Sequence, residues 1–219
     1  MKIGIEKITK LIGILDLNTS NLLSIYYAIY NIGYDPIIVN DKNFDNNQNK
    51  LTHLIIPGVG NFGKASDNID KYNLRLKIEK FNNSKRPIMG ICLGMQLLFT
   101  KSMESPNSIG LGLINGVIKK ISDYSDYRIP HVGWNGVKII NDHFVTSNIK
   151  ENVYDFYFVH SYFIPELEKK YILGETEYDV IFPSIVYKKN IIGVQFHPEK
   201  SQLKGVSILD NFCKWDGKC

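Results

Sequence analysis

The chain has 219 residues, 44% of them hydrophobic and 22% charged, a size and balance that fit one α/β domain with a sizeable core. They exclude a large multidomain enzyme, a fibre and a disordered chain. The 26 Lys and Arg outweigh the 22 Asp and Glu by four charges, but the basic residues are spread along the chain, so no nucleic-acid partner is expected. No apolar run approaches the roughly 20 residues of a membrane-spanning helix, so no membrane partner is expected either. Residues Met1 to Lys10 alternate lysine with isoleucine, include Glu6 and lack a secretory core; they are set apart as an extension ahead of a domain over 11–219. Cys92, Cys213 and Cys219 are odd in number, with neither CxxC nor Cys/His metal spacing, so the expectation is a cytoplasmic chain without metal, disulfide framework or other cofactor.

In chain order, Leu11 to Leu15 reads as a strand and Asn21 to Asn31 as an amphipathic helix stopped at Gly33. Pro36 to Val39 is a second strand, the Asn-rich stretch Asn40 to Asn49 a surface loop, and Leu51 to Ile56 a third strand closed by Pro57-Gly58. A lysine-rich amphipathic helix is expected from about Ala65 to Phe81. The strand Pro87 to Ile91 then runs into Cys92 and a helix from Gly94 to Thr100. Beyond Gly112 come short strands, Val117 to Ile121, Tyr157 to Val159, Ile181 to Tyr187 and Ile191 to Gln195, and a last helix near Val206 to Cys213. The alternation predicts a single α/β domain with a mixed, mostly parallel central sheet flanked by helices.

The chemistry gathers at Gly90-Ile91-Cys92-Leu93-Gly94, a G-x-C-x-G turn between a strand and a helix. Such an elbow holds its nucleophile in a strained conformation, and side chains at the two glycines would collide with the neighbouring strand and helix. The helix that follows presents its positive end to the sulfur. A cysteine nucleophile needs a base, and among His53, His131, His143, His160 and His197 the last is best placed, following a strand with Glu199 two residues beyond it to orient the ring. Pro57-Gly58-Val59-Gly60 ends a strand in the same half, and its N–H groups, with that of Leu93, suit an oxyanion hole.

Pro57-Gly58-Val59-Gly60, Gly90 to Gln96 and Gln195-Phe196-His197-Pro198-Glu199 resemble the class I (triad) glutamine amidotransferases. Within that class, Pro130-His131-Val132-Gly133-Trp134-Asn135, Phe158 to Tyr162 and His197 to Ser201 look like the glutaminase subunit of imidazole glycerol phosphate synthase. The likeness runs from about Leu11 to Phe212. It implies that Cys92 attacks the side-chain amide of L-glutamine, His197 moves the protons, Glu199 orients His197, and Val59 and Leu93 supply the oxyanion amides. It further implies that Gly60, Gln96, Ser161 and Tyr162 hold glutamine, and that Lys200 and Trp134 meet a cyclase-type (β/α)8 synthase subunit in a heterodimer to which ammonia passes. With no synthase domain in the chain, it is expected to act as half of a complex.

One departure stands out: the resemblance calls for D-Y-G-x-G-N after the first strand, where this chain has Asp16-Leu17-Asn18-Thr19-Ser20-Asn21. That leaves open a paralogue supplying ammonia for amidino groups on surface sugars and, more distantly, a stand-alone cysteine γ-glutamyl hydrolase. A non-catalytic binding module would have no need for Cys92, His197 and Glu199 together.

Overall fold

The computed structural model describes residues 10–18, 21–149 and 153–218. The extension expected over 1–10 therefore lies outside the described residues except for Lys10, whose Nζ donates to the carbonyls of Cys213 and Lys214 at 2.8 and 3.1 Å. Thr19 and Ser20 also lie outside them.

The first half is a parallel α/β unit. Strand β1 (Leu11–Leu15), helix α1 (Leu22–Asn31), β2 (Asp35–Val39), α2 (Phe44–Asn47) and β3 (Leu51–Gly58) lead to α3 (Phe62–Lys71), α4 (Leu74–Asn83), β4 (Ile88–Cys92) and α5 (Leu93–Leu97). The second half supplies β5 (Lys101–Ser102), β6 (Val117–Lys120), β7 (His131–Ile139), β8 (Tyr154–His160), β9 (Tyr162–Phe163), β10 (Ile172–Tyr178), β11 (Val180–Lys188), β12 (Ile191–Val194) and α6 (Gln202–Lys214). Nine strands form one sheet in the order β2-β1-β3-β4-β12-β11-β10-β7-β8, while β5, β6 and β9 form a small second sheet. From β2 to β12 every pairing is parallel, and from β12 to β8 every pairing is antiparallel.

Two apolar clusters hold the layers together. One packs Ile14, Ile25, Ile29, Ile91, Phe156, Phe196, Ile208 and Phe212 with their neighbours. The other packs Leu54, Ile56, Phe62, Ile78, Phe81, Leu93 and Met95 with theirs. Each such side chain contributes about 1.5–3 kcal/mol when removed from water. The parallel strands β3 and β4 are buried almost throughout, which is why they read as continuous apolar runs.

Three expectations need correcting. The single helix over Ala65 to Phe81 is two helices, because Asn73 takes φ 52°, a left-handed conformation asparagine tolerates better than most residues. The Asn40 to Asn49 loop contains α2, pinned by the fully buried Phe44 and by the Asn43 side chain, which accepts from Asn40 N–H at 2.9 Å and donates to the Ile38 carbonyl at 3.1 Å. The helix expected to reach Thr100 ends at Leu97, because the carbonyls of Leu97, Leu98 and Phe99 accept from the N–H groups of Leu111, Ile114 and Gly112, which draws that loop under the helix.

Candidate active site

The strand β4 ends at Cys92 with its Cα registered against Gly58 at the end of β3, so the nucleophile candidate sits at the carboxyl edge of adjacent parallel strands. Cys92 has φ 53° and ψ −112°, a backbone conformation costly for any side-chain-bearing residue, and α5 begins at the next residue. The elbow requires its glycines. A Cβ on Gly90 would lie 2.7 Å from the Gly94 carbonyl oxygen, and one on Gly94 would run into the backbone carbonyl of Ile56. Gly94→Ala should therefore cost more than about 3 kcal/mol in urea unfolding. A loss below about 1 kcal/mol would contradict this packing.

Beyond β12, His197 immediately precedes a single 3-10 turn, Pro198–Lys200, which carries Glu199, so the other two members of the expected triad lie side by side. His197 N–H donates to the Tyr157 carbonyl at 2.9 Å, and Ser201 Oγ donates to the His197 carbonyl at 2.6 Å, so the backbone of His197 is held at both ends. Its ring Nδ1 lies 2.9 Å from Glu199 Oε1, with both side chains buried. Nε2 is buried and without a hydrogen bond of good geometry, as is Glu199 Oε2. Burial alone would lower the His197 pKa. The neighbouring Cys92, and then Glu199, outweigh that and push it up to about 10. The imidazole is thus held protonated against a carboxylate on one side and a sulfur on the other.

In front of Cys92 lies a cavity of about 350 Å³, a size suited to a small ligand. It brings together Val59, Gly60, Leu93, Gln96, Ser161 and Tyr162, all six expected from the sequence, and adds Glu104, Pro130, Val159 and His160, which were not. Glu104 arrives on the turn after β5, where its Oε2 accepts Phe62 N–H at 2.7 Å. A lone glutamate in Lys101-Ser102-Met103-Glu104-Ser105 carries no spacing signal, so nothing in the sequence singled it out.

The wall of the cavity is a chain of hydrogen bonds whose direction is fixed at one end. The Tyr162 carbonyl can only accept, and it does so from Gln96 Nε2 and His160 Nδ1, both at 2.9 Å. With its proton on Nδ1, neutral His160 accepts at Nε2 from His131 Nδ1 at 3.0 Å, and His131 Nε2 accepts from Asn135 Nδ2 at 3.2 Å. His131 also stacks between Phe158 and Tyr178, at 4.8 and 3.9 Å between centroids. Burial lowers the pKa of His131 to about 4 and that of His160 to about 3, so both are uncharged, as the chain of donors requires.

Lys200 and Trp134 lie outside the cavity but near one another. The strand pairing sets Trp134 opposite Tyr157; their rings are 6.1 Å apart, and Lys200 Nζ lies 5.7 Å from the same Tyr157 ring. Trp134 is half exposed, as is Val132 two residues earlier. Tyr157, which joins the two, was not singled out in the sequence. Among the described residues no group of three or more His, Cys, Asp or Glu could hold a metal ion, and no helix is long and apolar enough to cross a membrane.

A cysteine elbow and a glycine-ended strand facing one cavity, with a buried His–Glu pair beside the cysteine, are features of a glutamine amidotransferase, and residues 13–215 match the family model "Glutamine amidotransferase class-I". The chain belongs to that family. Among its relatives, "Imidazole glycerol phosphate synthase subunit HisH" of Methanocaldococcus jannaschii is 43% identical over 92% of this chain and 98% of that one. The protein of the same name from Bacillus subtilis is 36% identical over 93% and 96%. The fold is shared with the structure of PurLQS from Thermotoga maritima, with a TM-score of 0.74 at 18% identity over 94% of this chain and 99% of that one. It is also shared with a structure described as glutamine amidotransferase, with a TM-score of 0.72 at 16% identity over 93% and 97%.

Proposed function

We propose that this domain, residues 11–219, is the glutaminase subunit of imidazole glycerol phosphate synthase, hydrolysing L-glutamine to glutamate and passing ammonia to a cyclase-type barrel subunit. The observation that carries the reading is the burial of His197 and Glu199 beside Cys92, which itself lines the cavity, within a chain 43% identical to a HisH subunit over nearly its whole length.

In this reading the Cys92 proton already rests on His197 Nε2 when glutamine arrives, and the thiolate attacks the amide carbon of glutamine. The oxyanion that develops is met by the N–H groups of Val59 and Leu93, which line the same cavity. His197 returns a proton to the leaving nitrogen as the C–N bond breaks, so ammonia departs and a γ-glutamyl thioester remains on Cys92. His197 then takes a proton from water, the resulting hydroxide attacks the thioester, and glutamate leaves as the Cys92 sulfur is released. Glu199 Oε1 fixes which ring nitrogen does this work, because it engages Nδ1.

Substrate positioning follows from the cavity wall. Both N–H bonds of Gln96 Nε2 are used, toward Tyr162 and Gln195, so its remaining polar atom is an acceptor suited to the α-ammonium of glutamine. Glu104 supplies the matching negative charge. Gly60 and Ser161 complete the holding set.

Trp134 and Lys200, brought to one face by Tyr157, are the contacts proposed for the synthase. A small crevice lined by His197, Glu199, Val59, Asn21 and Lys200 joins that face to the catalytic histidine. The altered loop after β1 fits the same assignment. Asn18 takes φ 55°, the left-handed conformation for which glycine is usual, and its N–H donates to Asp16 Oδ1 at 2.7 Å. At the first of the two replaced glycine positions, Asn18 therefore keeps the left-handed backbone.

The test is reconstitution with a histidine-pathway cyclase subunit, its nucleotide intermediate and glutamine. Product formation and a partner-stimulated rise in glutamine hydrolysis are expected. An inert pair, with stimulation instead by a sugar-amidating synthase, would assign the ammonia to surface-glycan synthesis. Full hydrolysis without any partner would indicate a stand-alone hydrolase.

A further inference from the structure

The residue immediately before Phe196-His197 is Gln195, wholly buried at the end of β12 beside β4, and the mechanism above gives it no part. Its backbone is fixed by N–H donation to the Ser184 carbonyl at 2.9 Å. Its side chain reaches the nucleophile, with Nε2 at 3.8 Å from Cys92 Sγ.

The orientation of that amide is dictated, not arbitrary. The Tyr162 carbonyl accepts from Gln96 Nε2, which makes the atom facing Tyr162 the Gln96 nitrogen. That same nitrogen lies 3.2 Å from the other polar end of Gln195, which must be the acceptor, Oε1. Only Nε2 is then left to face the sulfur. A flipped Gln195 would set two N–H groups against each other and turn an oxygen lone pair toward Sγ.

The environment of the sulfur makes such a donor useful. The Val159 carbonyl oxygen also lies 3.8 Å from Sγ. It accepts the proton of a thiol but repels a thiolate. With the proton on His197, the sulfur keeps one repulsive neighbour in a buried site, and an N–H aimed at it offsets that repulsion.

We propose that Gln195 is a further catalytic residue, donating from Nε2 to the Cys92 sulfur and so stabilising the thiolate both before attack and when it is released from the thioester. This rests on the reading of Cys92 as the nucleophile. The donor is held in its productive orientation by the chain from Tyr162 through Gln96. The other titratable groups about the sulfur are His197, backed by Glu199, and Glu104, His160 and Tyr162 on the cavity wall. None of these occupies the position of Gln195 between Gln96 and Sγ.

The test is the pH dependence of Cys92 alkylation by iodoacetamide, followed on the Cys92 peptide by mass spectrometry in the full chain. Gln195→Met keeps the volume and removes the donor. Gln195→Glu keeps the acceptor facing Gln96 and sets an oxygen against the sulfur. Each folded variant should raise the midpoint of alkylation by about one unit and slow alkylation at pH 7 by about fivefold or more. If Gln195→Met does not fold, Gln195→Glu carries the comparison. A midpoint unchanged from the unaltered protein in either folded variant overturns the proposal. A purely structural glutamine would alter the melting temperature and leave the midpoint in place. Alkylation needs neither glutamine nor a synthase, so failure of the unaltered protein to form glutamate would sink the glutaminase reading and leave this comparison intact.

Discussion

Cys92→Ala is expected to abolish glutamine-dependent synthesis by the reconstituted complex, by at least about 10⁴-fold, while synthesis from added ammonia continues at the rate of the unaltered complex. The nucleophile is the only atom removed. Alanine keeps the Cβ, and the strained φ of 53° at this position is imposed by the strand and helix on either side. The cavity, His197 and the proposed synthase face should therefore survive, and ammonia supplied from outside bypasses the lost step. Parallel steady-state assays with glutamine and with ammonium chloride read this directly. Loss of both activities would mean that the variant no longer assembles, and retention of the glutamine reaction would remove Cys92 from the mechanism.

Acidification should destabilise the domain sharply. Burial holds His53, His131 and His143 at a pKa of about 4 and His160 at about 3, each well below the 6.5 of an exposed histidine. Their folded values are depressed, so between pH 6.5 and about 4 the unfolded chain binds protons that the folded chain refuses. The stability they confer is complete above about pH 6.5 and is lost as the pH falls. His131 and His160 cannot accept protons without breaking the donor chain to Tyr162, while in His53 burial outweighs the bond to the Trp215 carbonyl, which by itself favours the protonated ring. Four such groups lower the unfolding free energy by on the order of 5 kcal/mol between pH 7 and pH 5. His197 acts in the opposite sense: its pKa is raised to about 10, so its contribution is complete below 6.5 and fades as the pH climbs toward 10. Urea unfolding across this range should show a maximum near neutrality. A flat profile from pH 7 to pH 5 would contradict the neutral histidine network.

What the sequence made legible was local. The elbow could be read because G-x-C-x-G between strand and helix answers a steric need visible without coordinates, and the clashes at Gly90 and Gly94 are the ones expected. His197 and Glu199 were legible for a similar reason, since two residues across Pro198 suffice to bring carboxylate and imidazole together. Strands β7 and β10 went unread. In β7, Gly133, Asn135 and Gly136 interrupt any apolar alternation, and its place in the sheet comes from pairing with β8. In β10, Gly174 and two glutamates mask the pattern in the same way. The break at Asn73 was hidden because amphipathic spacing continues through it. Glu104, Tyr157 and the donor chain from Asn135 to Tyr162 depend on contacts between residues far apart in sequence, and no spacing rule reports those.

The proposed mechanism requires a glutamyl thioester at Cys92. The most direct measurement is acid quenching of the complex during steady-state turnover of glutamine, followed by peptide mass spectrometry. A γ-glutamyl adduct confined to the peptide containing Cys92, lost on treatment with hydroxylamine and absent from Cys92→Ala, is the predicted result. Sustained glutamate formation by the Cys92→Ala complex, or an adduct on another residue, would contradict it.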